Sequence, residues 1–267
     1  MRRASKYLEI EATLLICTDK PLVLAQQVAD LTSLATYQLQ FKEFHNIHDF
    51  YFDTQEHALQ SKKLTLRLRE INSKSLITLK MPAHVINMDY GTQRSEMEYL
   101  WSKKALTKII NALNDQKIPI LSSFPDMNEI HPLEIIKTLG LEIIQDRENF
   151  RKRRDIVIKE HERNMVLAEL TIDSIIYHFS GQDIGHHEIE IELKNINYST
   201  VLKSVVEHLI SIYGSKLRIW PHSKLVTGKA IEKLWMEGNL DELLDCSNNL
   251  KPYAYNKIET YITRNMI

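Results

Sequence analysis

The 267-residue chain has room for one large domain or two small ones, and its 43% hydrophobic and 26% charged residues are ordinary for a globular protein. A formal net charge of −1 gives no bulk attraction to nucleic acid or to an anionic membrane surface, so basic residues matter only where they gather locally. Cys17 and Cys246 make neither a disulfide framework nor a metal-ligand spacing, no apolar stretch is long enough for a bilayer span or a signal-peptide core, and the seven glycines form no phosphate-cradling loop. A cytoplasmic protein with reduced thiols is expected, monomeric or homodimeric, with no nucleic-acid or membrane partner.

Taken in chain order, Leu8-Glu9-Ile10-Glu11-Ala12-Thr13-Leu14 alternates without a break and predicts a strand over Tyr7–Ile16. Pro21 opens a helical pattern running to about Leu34. Gln38–Phe52 reads as extended, followed by strands at Lys63–Glu70, Ser75–Met81 and Gln93–Trp101, with Ile71–Lys74 as a hairpin turn. Lys103–Leu113 is predicted helical, Ile118–Glu129 is a break, and a short helix over Pro132–Thr138 leads to Gly140. A second run of strands covers Leu141–Asn149, Phe150–Lys159, Met165–Asp173 and His187–Asn195. Helices are predicted over Tyr198–Tyr213 and Ser223–Trp235, and the tail from Gly238 has no defined packing.

The alternating strands segregate charge by sign. Glu9, Glu11 and Thr13 share a face, as do Glu169, Thr171 and Asp173, and as do Glu188, Glu190 and Glu192. Thr65, Arg67 and Arg69 share another, Thr78 and Lys80 another, and Arg94 lies with Glu96 and Glu98. In Arg151-Lys152-Arg153-Arg154 every neighbour is charged, so alternation alone decides little; Lys152 and Arg154 share one face. A single strand of this kind suits an exposed face with cross-strand pairs worth about 0.2–1 kcal/mol each. The recurrence favours a closed antiparallel barrel with apolar side chains packed outward on helices and charges lining a wet interior. Clustered carboxylates call for a divalent cation, and clustered Arg and Lys for an oxyanion such as phosphate. The adjacent His186 and His187 point to opposite strand faces and do not make one metal site, while Trp101, Trp220 and Trp235 read as packing residues.

These motifs, in this order, resemble the CYTH superfamily, the triphosphate tunnel metalloenzymes, which includes inorganic and thiamine triphosphatases and class IV adenylate cyclases. The resemblance runs from residue 8 to about 228. It rests on Glu9-Ile10-Glu11-Ala12-Thr13 for the family's Glu-x-Glu-x-Lys, on Tyr51-Phe52-Asp53-Thr54, Leu66-Arg67-Leu68-Arg69 and Thr78-Leu79-Lys80, and on Arg94-Ser95-Glu96-Met97-Glu98. Lys152-Arg153-Arg154, Glu169 to Asp173, Glu190-Ile191-Glu192 and Ser223-Lys224 with Gly228 complete it. One departure stands out: Thr13 replaces the signature lysine, keeping a hydroxyl and losing the charge.

The resemblance implies an α+β fold with a closed eight-stranded antiparallel β-barrel, or tunnel, built from two similar halves with helices packed outside. Residues 1–236 would form this domain and 237–267 a tail. It further implies metal-dependent hydrolysis of a small-molecule triphosphate. Glu9, Glu11, Glu96, Glu98, Asp173, Glu190 and Glu192 would hold Mg²⁺ or Mn²⁺. Arg67, Arg69, Lys80, Arg94, Lys152, Arg154 and Lys224 would bind phosphate, with Lys80, Lys152 and Arg154 as the catalytic cations. The alternatives are a class IV-type adenylate cyclase making cyclic AMP from ATP and a polyphosphate- or nucleotide-binding module that has lost turnover through Thr13.

Overall fold

Alternation becomes strand wherever the sequence shows it. The computed structural model describes residues 7–82, 92–127, 129–160 and 163–265, without the side chains of residues 7–9, 92–94, 160, 196 and 241. Strand β1 (Tyr7–Ile16) leads to helix α1 (Pro21–Ala29), where proline's fixed φ suits the first turn. The helix stops short of Leu34 because Ser33 and Leu34 form strand β2 (Ser33–Leu34) against strand β3 (Tyr37–Asp53). A single turn, α2 (Ala58–Ser61), precedes the hairpin β4 (Thr65–Ile71) and β5 (Lys74–Lys80). Its two linking residues, Asn72 and Ser73, take φ of 48° and 61°, the left-handed pair that matches the twist of a two-residue hairpin.

Strand β6 (Thr92–Leu100) is followed by helix α3 (Lys103–Asp115), whose first turn is capped by Ser102 accepting from the Ala105 N–H, and by α4 (Pro132–Thr138). The two strands expected over 141–159 are one, β7 (Glu142–Glu160); no Gly or Pro interrupts the run. Then come β8 (Arg163–Phe179), β9 (Gln182–Leu193), α5 (Ser199–Tyr213), β10 (Leu217–Ile219), α6 (Lys224–Met236) and α7 (Ala254–Asn265). The fold is α+β, an antiparallel sheet with helices. Ten strands occur among the described residues where eight were expected, the additions being the very short β2 and β10.

Two compact units are resolved. One is built mainly on Asn46–His84 and Gln93–Arg147, the other on Ile10–His45 and Glu148–Ile267. In the first, β4 pairs with β3 and β5, and β5 with β6, all antiparallel. Leu66, Leu68, Ile77 and Leu79 turn from the charged face onto Leu106, Ile109 and Ile110 of α3 and Ile135 and Ile136 of α4. In the second, β9 pairs with β8 and β1, and β1 with β10. There Ile10, Ala12, Leu14, Leu170, Ile172, Ile189 and Ile191 pack on Leu24 and Val28 of α1 and Val205, Val206 and Leu209 of α5. Each fully buried Leu or Ile contributes about 1.5–3 kcal/mol. This burial fixes which face of every strand carries charge.

The segment after α6 is packed as well. Leu240, Leu243, Leu250, Tyr255, Ile258 and Ile262 share a buried cluster with Tyr177, Ile184, Trp220, Ile231 and Leu234.

Candidate functional site

The charged face of the second unit is organised in rungs across β1, β9 and β8. Residues directly opposite in an antiparallel pair project to the same side. One rung is Glu11, Glu192 and Glu169; the next is Thr13, Glu190 and Thr171; the third is Leu15, Glu188 and Asp173. Asp173 and Glu188 are fully buried. One carboxylate oxygen from each of Asp173, Glu188 and Glu190 falls within 4.8 Å of the others.

Two cations enter this cluster. Arg151 of β7 makes a fork to Asp173 at 2.7 and 2.6 Å and also reaches Glu190 at 2.7 Å. Lys224 stands at the first position of α6, behind the cap Ser223, and its ammonium lies 3.0 Å from Asp173, 2.5 Å from Glu190 and in contact with Glu188. A lysine in the first turn opposes the helix dipole, so its place there is set by the carboxylates. The backbone holds it: Trp220 N–H donates to the Thr13 carbonyl at 2.9 Å, Trp220 Nε1 to Thr227 Oγ1 at 2.8 Å, and Tyr177 O–H to the Lys224 carbonyl at 2.8 Å.

Burial alone would push Lys224 down, but Glu188, Glu190 and Asp173 outweigh it and hold the ammonium above its ordinary pKa. Burial likewise opposes ionisation of Asp173, and Arg151 and Lys224 reverse it, leaving the carboxyl below its usual range. The donor set is three hard oxygens, the type a divalent Mg²⁺ or Mn²⁺ takes. Glu188 Oε1 is buried, ion-paired to Lys224 and without a well-formed hydrogen bond. The residues fit a hard cation, with Lys224 as its competitor.

The next rung carries a second ionic group. Glu169 accepts a fork from Arg153 at 2.9 and 2.6 Å and a bond from Lys42 at 2.7 Å. Burial raises its pKa and Arg153, Lys194 and Lys42 lower it further, to about 2.

In the first unit, arginines dominate. Asp49 is fully buried and accepts a fork from Arg69 at 2.7 and 2.8 Å and a bond from Arg147 at 3.0 Å, with Arg67 at 3.9 Å. Against the cost of burial, these guanidiniums hold its pKa well below the carboxylate range. Arg67 donates to Thr78 and Glu98 at 3.2 Å, and Lys80 pairs with Glu96 at 2.9 Å. Three guanidiniums gather on one aspartate, the side-chain type that binds oxyanions.

Residues 20–217 match the family described as the CYTH domain. The chain belongs to the CYTH family. YjbK of Bacillus subtilis (strain 168), named as a candidate triphosphatase, is 41% identical over 63 residues, which are 24% of this chain and only 33% of that protein. HpAC1 of Hippeastrum, a candidate adenylyl cyclase described as having a dominant triphosphatase activity, is 19% identical with a TM-score of 0.51, over 87% of this chain and 97% of its own. That likeness shows the fold alone. A candidate adenylate cyclase of Bacillus halodurans is 20% identical with a TM-score of 0.49, over 82% of this chain and 96% of its own. No helix among the described residues is long and apolar enough to cross a membrane.

Set against the CYTH motifs, Asp173, Glu190 and Lys224 come together in the second unit. Glu11 and Glu192 lie one rung along the same face, Glu192 being 3.4 Å from Lys194. Arg67, Arg69, Lys80, Glu96 and Glu98 gather in the first unit. The side chains of Glu9 and Arg94 lie outside the described residues. Lys152 and Arg154 face away from the carboxylates. Lys152 donates to the Gln26 side chain, and Arg154 to the backbone carbonyls of Ala29 and, at 3.0 Å, Leu39. The bonds from Lys152 and Arg154 to Gln26 and Ala29 put these even positions of β7 on the side of α1, so Arg151 and Arg153 reach the acids instead. The sequence reading left Arg151 and Arg153 out of the site, along with Glu188, Asp49 and Arg147. For Glu188 the signal was present in Glu188-Ile189-Glu190-Ile191-Glu192.

Proposed function

We propose that this CYTH protein is a metal-dependent triphosphatase acting on inorganic tripolyphosphate or an organic triphosphate. The observation that carries the reading is the convergence of Asp173, Glu188 and Glu190 on one point beside Arg151 and Lys224. Asp173, Glu188 and Glu190 would hold Mg²⁺ or Mn²⁺, which supplies charge neutralisation at phosphate oxygens and makes bound water more acidic.

The chain's own residues do the rest. Lys224 and Arg151 sit where the phosphate nearest the carboxylates would bind, and each can exchange a carboxylate for a phosphate oxygen without leaving the cluster. Arg67, Arg69 and Lys80 are assigned to phosphate oxygens through charge-assisted bonds, with Asp49 keeping Arg69 and Arg147 aimed. Thr13, opposite Glu190, offers a hydroxyl where the family lysine would bring charge. The closed eight-stranded tunnel over residues 1–236, cytoplasmic location and a monomeric or homodimeric state belong to this proposal.

The test is a substrate panel of tripolyphosphate, thiamine triphosphate and ATP with separate metals. Release of phosphate supports the reading. Cyclic AMP plus pyrophosphate from ATP would replace it with a cyclase, and tight tripolyphosphate binding without turnover would replace it with a binding module.

A further inference from the structure

The segment that follows the family match is joined to the acidic cluster by buried hydrogen bonds that the proposed reaction does not use. Residues 248–250 run alongside β9: Gly185 N–H donates to the Asn248 carbonyl at 2.9 Å, and Leu250 N–H donates to the Gly185 carbonyl at 3.0 Å. The approach is so close that a Cβ at 185 would collide with the Asn249 amide, which is why glycine stands there. On one face of β9, His187 Nε2 donates to Asn249 Oδ1 at 3.2 Å, and the Asp245 carboxylate accepts from the Asn249 N–H at 2.9 Å.

On the other face lies His186, fully buried. Its Nε2 is 2.9 Å from Glu188 Oε2 and its Nδ1 is 3.1 Å from the hydroxyl of Tyr255 on α7. A carboxylate only accepts, so Nε2 carries the hydrogen. Nδ1 is held by the Tyr255 hydroxyl, which can both donate and accept. Burial keeps the phenol protonated. The two oxygens of Glu188 are thereby divided: Oε2 faces His186, and Oε1 faces Lys224 and the carboxylate cluster.

We propose that His186 and Tyr255 are positioning residues for the cation site, the C-terminal segment fixing Glu188 through the chain Tyr255 to His186 to Glu188 so that Oε1 is presented to the ion. This rests on the reading of Asp173, Glu188 and Glu190 as cation ligands. Partners of ligating groups set orientation, and their removal weakens metal binding by about 10- to 100-fold in known sites.

The experiment is Mn²⁺ titration of the full chain by calorimetry or electron paramagnetic resonance, with metal-free thermal midpoints as the fold control. Wild type is compared with Tyr255→Phe, His186→Leu and His186→Gln. Tyr255→Phe keeps the ring and its packing, and we expect it to raise the Mn²⁺ dissociation constant about tenfold. His186→Leu should raise it by about 10- to 100-fold, and His186→Gln, whose amide can donate to Glu188, should recover part of the loss. In turnover assays the variants should need more metal for half-maximal rate, with kcat at saturating metal little changed. Equal Mn²⁺ affinity in wild type and Tyr255→Phe overturns the positioning role and leaves the cation site standing. Absence of Mn²⁺ binding by the wild-type protein overturns the cation reading and the positioning role together.

Discussion

The ammonium of Lys224 lies 3.0 Å from a carboxylate oxygen of Asp173, and both groups are buried. The acidic cluster thus contains its own counter-cation, and the divalent ion proposed there would bind only as Lys224 yields ground. Lys224→Met should therefore separate stability from metal affinity. Removing one member of a buried charge group costs about 3–5 kcal/mol, read by urea denaturation in EDTA. Mn²⁺ should raise the thermal midpoint of the variant more than that of wild type, while tripolyphosphate binding weakens. An unchanged stability would show that Lys224 does not neutralise the cluster.

Thr13 tests the one departure from the family signature. It is opposite Glu190 on the adjoining strand, so its side chain shares that face. A charge-assisted contact is worth about 1.5–3 kcal/mol, or roughly ten- to a hundredfold in rate or affinity. Thr13→Lys should raise kcat/KM on tripolyphosphate by about tenfold. No effect on tripolyphosphate or on an organic triphosphate would mean that position 13 does not meet the substrate.

Glu169 supplies a pH signature of the fold. Its pKa falls from 4.5 to about 2 because Arg153, Lys194 and Lys42 outweigh its burial. A carboxyl depressed in the folded state stabilises above its unfolded pKa, and that contribution is lost as pH falls from about 4.5 towards 2. The shift corresponds to about 3 kcal/mol at neutral pH. Wild type should lose stability relative to Glu169→Gln across that window, followed by denaturation at pH 6, 4 and 2.5. Parallel curves would contradict the assignment.

What the sequence revealed follows from half-burial. Period-two alternation is legible where one face packs on a helix, as for Ile10, Ala12 and Leu14 against Glu11 and Thr13. It fails where four cations run together: Arg151-Lys152-Arg153-Arg154 has no apolar member to mark a face, and the choice shows only in the partners, Gln26 and Ala29 on one side and Asp173 and Glu169 across the sheet on the other. Asp49 was hidden for another reason. It adjoins the aromatic run Phe50-Tyr51-Phe52, and its partners Arg69 and Arg147 are 20 and 98 residues away. Helix α7 carried its signal in Tyr255, Ile258 and Ile262 at helical spacing, diluted by the polar residues between them.

Asp49 should be the most sensitive position of the first unit. Asp49→Asn leaves Arg69 and Arg147 facing a neutral amide in a buried place. A loss of about 3–5 kcal/mol is expected by chemical denaturation, together with a higher KM for tripolyphosphate as the guanidiniums lose their aim. A stability change under about 1 kcal/mol would show that the arginines hold their places without it.

The most direct measurement is phosphate release from tripolyphosphate by wild type and by Glu190→Gln, each in Mg²⁺, in Mn²⁺ and in excess EDTA. Wild type should turn over with either metal and stop in EDTA. Glu190→Gln should retain its fold and lose at least about a hundredfold in kcat/KM, a deficit of about 2.7 kcal/mol in transition-state stabilisation. Full activity in EDTA, or an undiminished rate in Glu190→Gln, would contradict a metal-dependent site built on Asp173, Glu188 and Glu190.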